Sequence, residues 1–137
     1  MANTGITLFG SYKSVLKKYV DFNGRLSRKG YWYFFLANFL ISLAVSVAEF
    51  IFANGFVELT SPSSPSITDF TLFSSIYSLI LLLPAFAASV RRLHDTNRSG
   101  WNYLLLFIPI VGWIVVLVFL FKKGDQQENK YGPVPTE

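Results

Sequence analysis

Apolar residues along this chain gather in three long runs separated by short polar stretches. The first runs from Tyr31 to Ala53 with Glu49, near its far end, as its only charge. Phe70 to Val90 and Trp101 to Phe121 carry no charge at all. A helix needs roughly 20 apolar residues to cross about 30 Å of hydrocarbon, and each run supplies them. The core helix of a soluble protein keeps a polar face, which these runs almost lack. The pattern predicts an all-α integral membrane protein, a single membrane domain over 1–137 with hydrophobic transmembrane helices at 31–53, 70–90 and 101–121. A cleavable signal peptide fits poorly, because the first run starts late and lacks a small-residue cleavage pattern.

The segment before the first run reads differently. Leu8, Tyr12, Val15, Leu16, Tyr19 and Phe22 share one helical face, with Gly10, Lys13, Ser14, Lys17 and Lys18 outside it. This spacing predicts an amphipathic helix over 7–22, lying in the membrane interface, packed as a cap on the cytoplasmic ends of the spans, or both. Residues 54–69 contain Ser61-Pro62-Ser63-Ser64-Pro65-Ser66 and read as a loop. The tail, 122–137, is polar, and its Gly132-Pro133-Val134-Pro135 is expected to be extended.

Charge orients these elements. Of 12 Lys and Arg residues, six precede the first run, none lies in 54–69, three lie in Arg91–Gly100 and three in the tail. Basic residues stay cytoplasmic, so the N-terminus and the Arg91–Gly100 connection are expected inside and the Ser/Pro loop outside. The net charge of +4 is thereby explained without nucleic acid. The tail is the difficulty, because three straight crossings carry Lys122 and Lys123 outward. The third run is interrupted by Pro109-Ile110-Val111-Gly112. It is therefore either a Pro-kinked straight span or a re-entrant hairpin of two half-helices that returns the tail to the cytoplasm.

Two polar groups stand out. Asn38, Ser42, Ser46 and Glu49 form a stripe on the first span, and Ser74, Ser78, Ala85 and Ser89 form one on the second. Facing each other, they would serve helix packing; the alternative is a path lining in an oligomeric channel or transporter. Glu49 is a functional candidate as an intramembrane carboxylate. The second group is cytoplasmic: Arg25, Arg28, Arg91, Arg92 and Arg98, with His94, Asp95, Trp32 and Trp101. Arginine forks bind phosphate oxygens, so these residues are expected to converge on an anionic lipid headgroup, with Asp95 and His94 orienting two of the arginines.

Enzymatic readings find little. The chain has no cysteine and one histidine, so no thiolate or multi-histidine metal centre is available. His94-Asp95 lacks further ligands, and Ser99 near His94 lacks a nucleophile elbow. No catalytic residue, metal or cofactor is expected.

Four blocks then suggest a family. Phe22-Asn23-Gly24-Arg25-Leu26-Ser27-Arg28-Lys29-Gly30-Tyr31-Trp32, the stretch Arg91 to Trp101, Ile108-Pro109-Ile110-Val111-Gly112-Trp113 and Glu128-Asn129-Lys130-Tyr131-Gly132-Pro133 occur in order. The combination resembles the small bacterial inner-membrane proteins grouped as domain of unknown function 805, of the YhaH type, over nearly the whole chain. The resemblance implies a bacterial inner, or plasma, membrane, about three transmembrane helices and no established activity. The long Ser/Pro loop looks like an insertion relative to shorter members. The function expected is a non-enzymatic binding or scaffold protein whose basic cytoplasmic face meets anionic lipid, a partner membrane protein or a second copy.

Overall fold

The computed structural model describes residues 7–60 and 72–136, with the side chains of 53–60, 72 and 73 left aside. The elements are α1 (Leu8–Lys17), α2 (Arg28–Thr60), α3 (Leu72–Asp95), a 3-10 helix η1 (Gly100–Phe107) and α4 (Val111–Phe121). Among the described residues the only β pairing is an isolated bridge between Asn129 and Gly132. Two helices, over Arg28–Phe52 and Ser74–Asp95, are long and apolar enough to cross a membrane. The expected Ser/Pro loop at Ser61–Ser66 lies outside the described residues. Residues 54–60, expected in that loop, continue α2 instead.

Thr7 starts α1 by accepting the amide of Gly10 on its hydroxyl at 3.0 Å. The helix stops at Lys17, short of the expected end, and a turn follows in which the Asp21 amide bonds the Lys18 carbonyl at 3.1 Å. Val15 is fully buried, and Tyr12 stacks on Phe34 with ring centres 5.7 Å apart. The apolar face of α1 is therefore spent on α2, while Tyr19, expected on that face, stays exposed.

α2 and α3 run antiparallel along a polar seam. The Tyr31 hydroxyl lies 3.3 Å from Ser89 Oγ, and Tyr77 donates to Asn38 Oδ1 at 2.9 Å. Glu49 accepts the backbone amide of Ser74 at 2.9 Å and the Ser74 hydroxyl. An amide in the first turn of a helix has no partner within that helix. Glu49 thus caps α3 from the neighbouring helix, with its negative charge at the positive end of the dipole. Ser42 is half-buried, whereas Ser46 and Ser78 are exposed. Ala85 and Ser89 pack inside the chain, where Ser89 donates back to the Ala85 carbonyl. Replacing Glu49 with alanine is expected to cost about 1 kcal/mol, the usual value of a helix cap. Thermal unfolding in detergent checks this: E49A should melt below the wild type, and an unchanged melt refutes the cap.

The third apolar segment turns back on itself. Arg92, in the last turn of α3, bonds the carbonyls of Leu120 and Lys122 at the end of α4. The segment also begins just past α3, at Gly100. Its two ends therefore lie at the same pole, and the chain turns back at Ile108–Ile110. The straight span is replaced by the hairpin. Eight residues of 3-10 helix rise about 16 Å. Eleven residues of α-helix rise about 16 Å as well. Each arm reaches about half of a 30 Å hydrocarbon core.

Two features close the hairpin. Ile110 adopts φ 65°, ψ −69°, and the amide of Val111 bonds the Pro109 carbonyl at 2.8 Å, which together make a γ-turn of the rarer, strained hand. Behind it, Gly112 lies so close to η1 that a β-carbon there would sit 1.7 Å from the Leu105 carbonyl oxygen. The tip also satisfies much of its own backbone. Ile108 and Gly112 donate to Leu105 and Ile108, and the Trp113 indole donates to the Leu106 carbonyl at 2.9 Å. The tip itself, from Phe107 to Val111, is exposed.

The buried core is gathered towards the pole where the hairpin begins and ends. Val15, Leu26, Tyr31, Phe34, Ala88, Val116 and Leu120 form it. Away from it, α2 and α3 expose Val47, Phe50, Ile51, Ile76, Leu79 and Ile80. In water such a surface would aggregate, whereas against lipid tails it meets a solvent as apolar as itself.

Candidate functional site

α3 ends in a Schellman motif that fixes the site's backbone. Arg98 donates to the Leu93 carbonyl and Asn97 to that of His94, both at 3.0 Å. Asn97 holds the left-handed conformation the motif requires, with φ 57°. This arrangement leaves Arg92 and Asp95 on the last turn facing inward, where the loop before α2 delivers Arg25.

The three side chains form one buried ionic cluster. Asp95 Oδ1 accepts Arg25 Nε at 3.0 Å and Nη2 at 2.9 Å, while Oδ2 accepts Arg92 Nη1 at 2.5 Å. Their side chains are 1%, 0% and 5% exposed for Arg25, Arg92 and Asp95. Two guanidiniums around one carboxylate leave an excess positive charge in a low-dielectric place, so further acceptors are needed. Backbone carbonyls supply them. Arg25 also donates to Gln127 O at 2.8 Å, Gly132 O at 3.2 Å and Asp125 O at 2.6 Å. With the Nε bond to Asp95 these make four hydrogen bonds from Arg25, beside the ion-pair contact of its Nη2 with the same carboxylate.

Arg92 spends its remaining nitrogens on α4, with Nε donating to Leu120 O at 3.1 Å and Nη2 to Lys122 O. Arg28 donates to Phe121 O at 3.4 Å, and the Arg98 guanidinium lies 3.7 Å over the Phe119 ring. The last carbonyls of a helix lack partners and form the negative end of its dipole. The arginines thus hold the returning arm of the hairpin by its C-terminus.

The tail completes the cluster. Gly124 passes so near Asp95 that a β-carbon would sit 1.9 Å from Oδ2. Asp125 donates its amide to the Asp95 carbonyl at 2.8 Å. Asn129 donates to the carbonyl of His94 at 3.0 Å and to Asp125 Oδ2 at 3.1 Å. The Tyr131 ring stacks on His94, 3.8 Å between centres and 3° from parallel. His94 Nδ1 meets the Gly24 carbonyl at 3.2 Å; since a carbonyl only accepts, Nδ1 carries the proton there.

The sequence-predicted residues therefore have different fates. Asp95 does orient two arginines, Arg25 and Arg92, but those two converge on protein acceptors and not on an open anion site. His94 orients none of the arginines and is held by Gly24, Tyr131 and Asn129. Arg91 is buried; its Nε reaches the Ala87 carbonyl at 3.4 Å, and its own carbonyl accepts the amide of Leu26. Trp32 stacks on Phe121 with centres 4.3 Å apart. Trp101 stands exposed on η1. Arg28, Lys29, Lys122 and Lys123 are exposed around the cluster. Among the described residues no three His, Cys, Asp or Glu side chains are grouped as a metal site would need.

Sequence reasoning missed Gly124 and the tail carbonyls at Asp125, Gln127 and Gly132. A backbone acceptor leaves no mark on residue type. The only available signal was the polar block Glu128–Pro133, which could share a surface with Arg25 and Asp95 only if the tail returned.

A family model described as "Protein of unknown function (DUF805)" matches residues 19–133. Inner membrane protein YhaI of Escherichia coli (strain K12) is 40% identical over 124 residues, 90% of this chain and 93% of its own length. Inner membrane protein YhaH of the same strain is 36% identical over 124 residues, covering 90% and 94%. No solved structure matches the chain.

Proposed function

The chain belongs to the DUF805 family, and because that description carries no activity we propose from its own residues that it is a non-catalytic scaffold of the bacterial inner membrane. In this reading α2 and α3 cross the bilayer and η1–α4 re-enters without crossing. The N-terminus and the tail both face the cytoplasm. Arg28, Lys29, Lys122 and Lys123 form a basic rim for anionic headgroups or a partner membrane protein. The observation that carries it is the cluster of Arg25, Asp95 and Arg92, which ties the loop before α2, the end of α3, the end of α4 and the tail at one pole. Placed in the cytoplasm, that pole puts Arg25, Arg28, Arg91, Arg92, Lys122 and Lys123 on the side the charge rule favours. The relatives' names, which place them in the inner membrane, support the same location.

A channel gains no support from the seam. Asn38 and Glu49, its most polar members, are turned on Tyr77 and Ser74 of the neighbouring helix.

A topology reporter fused after Glu137 tests the proposal. Cytoplasmic activity is expected there. Periplasmic activity overturns the re-entrant reading and takes the cytoplasmic tail with it.

A further inference from the structure

Beside the ionic cluster lies a cleft of about 430 Å³, walled by Phe22, Phe86, Val90, Trp101 and Leu104, with His94 as a polar member. That volume falls in the range of small-molecule sites, roughly 300–1,000 Å³. Its walls come from three separate pieces of chain: the turn after α1, the last turns of α3, and η1. They are braced against each other. Phe22 meets Phe86 edge-on at 5.7 Å, and Phe86 meets Tyr103 edge-on at 5.3 Å. The protein leaves the space open, and Trp101 on its wall is 78% exposed.

Charge at the polar end has one sign. The ring of His94 is stacked by Tyr131, and the Lys130 ammonium lies 5.0 Å over that tyrosine ring. Ser99 also lines the cleft. No carboxylate lines the cleft. Two carboxylates adjoin lining residues in sequence: Asp95 is occupied by Arg25 and Arg92, and Asp21 accepts the amide of Asn23.

We infer that this cleft seats one acyl chain of an anionic phospholipid whose phosphate lies towards Lys130. An apolar slot at the polar pole of a membrane protein receives an amphiphile, with its chain in the slot and its head beside the cation. The aromatic walls give apolar contact, and the Lys130 ammonium selects the head by sign. The inference rests on the membrane placement proposed above. It names a seat distinct from the exposed rim of Arg28, Lys29, Lys122 and Lys123.

The test reads lipid retention by native mass spectrometry. The full chain is released from nanodiscs of phosphatidylethanolamine containing phosphatidylglycerol. Leu104→Trp fills the cleft and is expected to lower tightly held phosphatidylglycerol about tenfold. Lys130→Glu, an exposed change that leaves the walls intact, is expected to lower phosphatidylglycerol but not phosphatidylethanolamine. Wild-type retention in both variants overturns the seat. Equal loss of both lipids in L104W, with no effect of K130E, overturns the anionic selectivity. A third variant, with Lys29, Lys122 and Lys123 changed to glutamine, separates the two ideas. If it alone loses phosphatidylglycerol, the rim stands and the cleft falls; if it retains the lipid while L104W loses it, the rim falls and the cleft stands.

Discussion

Asp95→Ala is expected to be the most damaging single change in this protein. It leaves two guanidiniums, Arg25 and Arg92, buried at 1% and 0% exposure around an empty position. Removing one partner of a buried ion pair costs about 3–5 kcal/mol, because the desolvated charge left behind has lost its compensation. A large part of the stability of a small domain lies in that figure. Thermal unfolding in detergent should show a sharply lowered midpoint. The tail should also become open to trypsin at Lys122, Lys123 and Lys130, since Gly124 and Asp125 pack directly on Asp95. Asp95→Asn keeps the shape and one acceptor oxygen but not the charge, and most of the loss is expected there too. If D95A melts with the wild type, the cluster does not hold the pole together.

The second large effect is expected at Gly112. A valine there places its β-carbon 1.7 Å from the Leu105 carbonyl oxygen, where backbone and not a pliable side chain stands in the way. The arms of the hairpin must separate, at a cost of about 3 kcal/mol or more for a forced overpacking of this kind. Two measurements report it. The melting midpoint falls, and Trp113 fluorescence shifts as its indole loses the Leu106 carbonyl. Gly112→Ala should show the same effects, because the clash begins at the β-carbon. A wild-type melt and spectrum in G112A would mean that the arms do not approach so closely.

These two positions show unequally what can be read from residues alone. The length of the apolar runs, the basic bias around them and the interruption at Pro109–Gly112 all follow from local chemistry, and each was visible along the chain. The stripes of serines, Asn38 and Glu49 were visible as well, yet Ser46 and Ser78 stay exposed and only some members meet across the two helices. Which partner each found was not visible. Tyr77 takes Asn38, and the cap formed by Glu49 on α3 depends on two helices meeting in one register. α1 was read as amphipathic, yet nothing in its spacing decides between lipid and protein as the surface its apolar face covers. Its Tyr12, stacked on Phe34, shows protein covering part of that face. Pro84, which the apolar pattern passes over, sits buried inside α3 without ending it. A proline is tolerated there because packed neighbours surround it.

The arginines are the clearest division. Their number, and their crowding at one end of the spans, belonged to the sequence, as did the presence of one acidic partner among them. Whether they would point outward to a phosphate or inward to the protein depended on acceptors that residue types do not display. Those acceptors are the carbonyls at the end of α4 and along the tail, and they arrive only because the third apolar segment turns back. Hydrophobicity is additive along a chain, so membrane immersion could be read from it directly. Hydrogen-bond satisfaction is a property of distant groups brought together, and it was settled only when the hairpin closed.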